Sequence, residues 1–165
     1  MVLAPAATVA DYVVAVHVIA VIVAFGVLFV YPLLSAIGVR SEPRAMSWFH
    51  RLQWAIHMRL QAPALAVVAL AGIYLASDLH DWSHFFVAWG LAAVIVIGAI
   101  GGAYISPREK RLAELAEREA TVAPVGGERF AFSDEYRAVA RQADLARLVQ
   151  LAITVATIFF MALHL

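Results

Sequence analysis

The histidines are the residues whose chemistry is most at odds with their surroundings. His17 stands inside VVAVHVIAVIVAFGVLFVYP, residues 13–32, an apolar run long enough to cross a bilayer. An imidazole in hydrocarbon costs free energy unless it is hydrogen-bonded or ligates a metal. Counted from the N-terminal end of the run, it lies about 8 Å deep at 1.5 Å per residue. Tyr74 and Met161 fall at a similar depth on two other apolar runs, with His84 and His164 somewhat shallower. Two chemistries suit such an imidazole. One is axial ligation of haem b, with Met161, His84 or His164 as second ligand, or with five-coordinate iron. Apolar walls would then surround the macrocycle, and Gly26 would leave room for a flat ring. The other is a hydrogen bond to a tyrosine, serine or carbonyl across a helix bundle.

A second group, Asp78, His80, Asp81 and His84, lies in the short SDLHDWSH connection. On a helix, His80 and His84 would present two imidazoles to one divalent metal, and the carboxylates would complete a zinc or copper site. In a turn, the same residues are a solvated surface cluster. His50 and His57 are seven apart, so on a helix they share a face. With Trp, Arg and Gln around them they read as anchors at the level of lipid headgroups.

The elements that position these groups follow from composition. Of 165 residues, 64% are hydrophobic and 15% charged, and the mean hydropathy is +0.84, well outside the range of soluble domains. There is no cysteine, which excludes disulfides, thiolate zinc sites, iron–sulfur clusters and c-type haem. Four stretches are predicted to span a membrane, at about 12–36, 60–77, 85–105 and 148–165, and none contains Asp, Glu, Lys or Arg. The second and fourth are short, so Trp54–Arg59 and Asp144–Arg147 should continue their helices. The first is read as a retained helix, because residues 1–11 carry no basic residue and the run exceeds a signal-peptide core.

All 12 basic residues fall between spans 1 and 2 or between spans 3 and 4. The positive-inside rule makes loops 37–59 and 106–147 cytoplasmic and both termini outside. The first loop reads as an interfacial helix on the inner leaflet, bending into span 2. The second continues helically past Pro107 and breaks at Pro124, Gly126 and Gly127. It restarts with Ser133 as N-cap, forming a helical hairpin. The fold class is therefore all-α: an integral membrane up-down-up-down four-helix bundle in a single domain, in a bacterial-type plasma membrane. Its partners are the bilayer and either other membrane subunits or a second copy. The GxxxG at Gly98 and Gly102 fits close packing inside the bundle better than dimerisation. The charges of loop 106–147 balance at eight of each sign, which argues against nucleic acid.

His17, Gly26, Leu28-Phe29 and Tyr31-Pro32 together resemble the first helix of a group of bacterial four-helix membrane proteins. So do Pro63, the Gly72-Ile-Tyr-Leu segment and the Pro107-Arg108 helix end. The group is a broad family described only as predicted integral membrane proteins, distantly similar to HemJ-like protoporphyrinogen oxidases and CopD-like copper-resistance proteins. The resemblance implies a four-helix bundle and, for the oxidase branch, haem held through the first-helix histidine, here His17. The oxidases' third-helix lysine has no counterpart, and Pro32 is followed by Leu33 rather than arginine. Protoporphyrinogen oxidation is accordingly not expected. Three readings remain: a b-type haem redox or haem-handling module, a non-catalytic subunit of a membrane complex, and an outer-face metal-binding protein.

Overall fold

A computed structural model describes residues 7–38, 43–80, 82–123 and 131–163. Among them the chain is helical, with no strand. The helices are α1 (Val9–Gly38), α2 (Pro43–Ile56), α3 (Ala62–Asp78), α4 (Phe85–Ala99), α5 (Ser106–Val122) and α6 (Asp134–Leu163). Four helical rods, counting α2–α3 and α4–α5 as one each, are long and apolar enough to cross a membrane.

Those joins are π-helical, at His57–Gln61 and Ile100–Ile105, and each immediately precedes a proline by two residues. Pro63 and Pro107 have no N–H, and their rings crowd the carbonyl four residues back. The helix accommodates them by widening one turn. The amide of Ala62 reaches back five residues to the His57 carbonyl, and that of Ser106 to the Gly101 carbonyl. Neither proline ends its helix. The rods therefore run 35 and 38 residues, about 52 and 57 Å, against a hydrocarbon core of about 30 Å.

The rods pack in the order α1, α3, α4, α6, with α6 returning against α1. A cluster of Ala24, Phe25, Leu28, Leu65, Val68 and Ile97 fills the centre. Their outward flanks are apolar, with Ile22, Leu70 and Ile95 each more than 60% exposed; such faces suit lipid rather than water. Beyond this region α2 packs on α5, and α5 on α6, around Met46, Leu112, Leu115, Tyr136 and Ala143. Ser133 caps α6 as expected, accepting from the Tyr136 amide at 3.2 Å, and its hydroxyl donates to Glu119 of α5 at 2.5 Å.

The expected interfacial helix is a different object. Instead of bending at a leaflet, α2 continues through the π turn into α3 and is held against α5. Its inward face carries Ser47, His50, Gln53, His57 and Gln61, all buried, whereas Trp48 on its outer side is 65% exposed. Of the apolar residues that suggested an interfacial helix, Trp48 and Leu52 are left outside, whereas Phe49 packs on the Leu112 cluster and Trp54 lines a small interior cavity. The expected helical continuations at Trp54–Arg59 and Asp144–Arg147 are present.

The two π turns face one another, and Gly101 makes that approach possible. A Cβ on Gly101 would collide with the His57 ring and sit 3.2 Å from Gln150 Nε2. We expect Gly101→Ala to destabilise the detergent-solubilised protein by about 1–3 kcal/mol, and His57→Ala to remove most of that penalty. Thermal unfolding of the two single variants and the double variant checks it.

Candidate functional site

Two interior regions concentrate the polar chemistry. The first is an apolar cavity of about 440 Å³ in the half of the rods nearest the α3–α4 connection. It is walled by His17, Val21 and Phe25 of α1, Val68 and Gly72 of α3, Gly90 and Val94 of α4, and Thr157 and Met161 of α6. That volume falls within the range of small-molecule and cofactor sites. His17 reaches the cavity across Gly72, where a Cβ would sit 3.5 Å from its Cε1. Its Nδ1 is buried without a well-formed hydrogen bond, and the backbone of Val68 is the polar group the ring meets in the protein. Thr157, by contrast, is engaged: it accepts from Trp89 Nε1 at 3.1 Å and donates to the Ile153 carbonyl at 2.8 Å. The Met161 thioether lies over Gly90, in space that a Cβ there would claim.

Of the residues singled out from sequence, His17 and Met161 thus share one cavity. Tyr74 does not join them; it is 41% exposed on α3 and absent from the cavity wall. His164 lies outside the described residues, as does Asp81. The remaining members of the proposed metal group are spread over a turn. Asp78 ends α3, His80 has left-handed backbone at φ 59°, and His84 precedes the first residue of α4 with extended backbone. The helical spacing that would pair the two imidazoles is absent, because α4 begins at Phe85. Among the described residues no three His, Asp or Glu side chains gather as a metal site would require.

The second region is polar and was not anticipated. His50 and His57, read as surface anchors, are 4% and 7% exposed. Glu109 of α5 organises the layer around His50. It pairs with Arg147 of α6 and sits 2.7 Å from His50 Nδ1. A carboxylate facing arginine is an acceptor, so Nδ1–H donates to it. The Tyr136 hydroxyl then donates to Nε2 at 2.8 Å. Arg147 also donates to Asp144 at 2.7 Å and to Gln53 Oε1 at 3.1 Å. One layer further along the rods, His57 Nδ1 donates to Gln61 Oε1 at 2.8 Å, and Gln61 donates to the Ala24 carbonyl at 3.1 Å. Gln150 donates to the Ile97 carbonyl at 2.8 Å.

A sequence signal for this region existed. Ile105, Glu109, Leu112 and Ala116 mark one stripe of α5, so Glu109 occupies a position whose helical neighbours are core residues. The buried stripe of α2 likewise repeats every three or four residues, in polar residue types.

No protein-family model matches this chain, and no curated protein or solved structure shows significant similarity to it.

Removing one partner of a buried ion pair strands the other charge. We expect Glu109→Ala to cost about 3–5 kcal/mol, whereas Arg51→Ala, which breaks an exposed pair with Glu117, should cost no more than about 1 kcal/mol. Denaturant unfolding followed by circular dichroism in detergent separates the two.

Proposed function

We propose that this chain is a small multi-pass protein of a bacterial-type plasma membrane that holds b-type haem, with His17 as axial ligand, for redox chemistry or haem handling. The observation that carries the reading is a buried imidazole nitrogen without a well-formed hydrogen bond, on the wall of an apolar cavity of cofactor size. The topology proposed with it is up-down-up-down, both termini outside and the α5–α6 hairpin cytoplasmic. It rests on the placement of all 12 basic residues.

The chain's own groups fit a macrocycle in specific ways. His17 offers a nitrogen, and Met161 is the one other cavity-lining side chain with a soft donor atom. Val21, Phe25, Val68 and Val94 supply the apolar surface, and Gly72 and Gly90 keep two walls thin. Among the described residues no basic side chain lines the cavity, and Leu79 and Trp82 at its α3–α4 end are each at least half exposed. Bound there, the iron would supply one-electron chemistry, while the apolar shell around it would disfavour the more highly charged oxidised state.

The test is a visible spectrum of detergent-purified protein, oxidised and dithionite-reduced, after expression with haem precursor supplied. We expect a Soret band with reduced α and β peaks, lost in His17→Ala while the variant still inserts, and a shifted reduced spectrum in Met161→Leu if the thioether is the second ligand. A featureless spectrum at full haem supply would overturn the reading. His17 would then be a packing residue of a non-catalytic subunit.

A further inference from the structure

Between the two polar clusters lies a second, much smaller cavity, of about 10 Å³, close to the space taken by one water molecule. Its walls come from both π turns and from α1, α2, α5 and α6, with Trp54, Gln53, Glu109 and Arg147 among them. Three buried polar atoms on these side chains have no hydrogen-bond partner in the protein, Trp54 Nε1, Gln53 Nε2 and Arg147 Nε, while Glu109 Oε1 meets only Arg147 Nη2, in their ion pair. Gln53, Glu109 and Arg147 are each at least 95% buried. They are not surface groups that solvent would satisfy casually. Three unmet donors beside a carboxylate oxygen, around one water-sized cavity, limit the chemistry of the occupant.

We propose that this cavity is a binding site for a single structural water, which accepts from Trp54 Nε1 and Gln53 Nε2 and donates to Glu109 Oε1. Three bonds are what a buried water typically makes. A monatomic anion is the competing ligand, since it too would welcome N–H donors and a guanidinium. Two features count against it. Glu109 Oε1 would repel an anion but keeps a lone pair for a water O–H beside its Arg147 contact, and the carboxylates of Glu109 and Asp144 already answer the Arg147 charge. A cation finds a single carboxylate and three misdirected N–H groups.

The site has a structural consequence. His57, Gln61 and Gln150 line the same cavity from the other side. A water there links the Tyr136–His50–Glu109–Arg147 cluster to the layer formed by the two π turns. The polar extension and the membrane-spanning half would then share one network, with Lys110 stacked 4.8 Å over Trp54 as its outer cover. This inference is independent of haem.

The experiment joins a structure with two stability measurements on the whole protein in detergent. A density map near 2 Å should show an isolated peak within hydrogen-bonding reach of Trp54 Nε1 and Glu109 Oε1. Replacing the Trp54 indole with its benzothiophene isostere keeps the shape and deletes the N–H. If that N–H is bonded to water, the thermal midpoint falls by several degrees. An unchanged or raised midpoint, or a map without the peak, would overturn the proposal, because an orphaned donor is better removed. The midpoint should also be indifferent to exchanging chloride for a bulky organic anion at constant ionic strength. A rise with chloride would assign the site to a halide and overturn the water.

Discussion

Arg147 carries a guanidinium into the junction between an apolar rod assembly and a polar extension, and it is only about 5% exposed. A charge in that position must be answered by charge and by hydrogen bonds, or the fold does not hold. Glu109 supplies the charge, and Asp144 and Gln53 supply bonds. Because Glu109 also receives His50, the pairing draws α2 against α5 and α6 and fixes the rotation of all three helices. The buried polar stripe on α2 follows from this demand. Its Ser, His and Gln residues face inward because the polar groups to be satisfied lie inward.

The paired π turns answer a different demand, set by proline. A straight α-helix through Pro63 or Pro107 would set a ring against a carbonyl, and widening by one residue relieves the contact. Widening also changes which residues face inward on the far side of the turn. Above it the inward residues of α3 are small or aliphatic, including Ala64, Leu65, Val68 and Ala71. Below it they are polar. The register shift coincides with the boundary between two interiors that obey different rules.

In the apolar interior the opposite situation holds. His17 has a buried nitrogen without a well-formed hydrogen bond, in a cavity where the surrounding side chains offer almost no polarity. One interior is closed by mutual satisfaction, and the other is left with one poorly met group and room beside it. That contrast is why the functional proposal is placed at His17 rather than at the richer cluster of titratable residues around Glu109, which is already engaged with itself.

Sequence by itself determined the helical class and the four long apolar segments, because hydrocarbon thickness and backbone hydrogen bonding leave few alternatives. It also determined the Ser133 cap, a local matter of one side chain and one amide, and the helical continuations at Trp54–Arg59 and Asp144–Arg147. Tertiary structure alone decided which face of α2 points inward. Trp48 and Leu52 read as part of a helix lying on the inner leaflet, since local pattern scores apolar groups; Glu109, Arg147 and Tyr136, far away in sequence, turned its polar face inward instead. Long-range pairing of this kind has no local signature. His17 and Met161 were legible as a pair because depth along a straight rod can be counted, whereas Tyr74 was misplaced because depth says nothing about rotation. His80 and His84 fail to pair for a related reason: residues four apart share a helical face only within a helix, and α3 ends at Asp78 while α4 begins at Phe85.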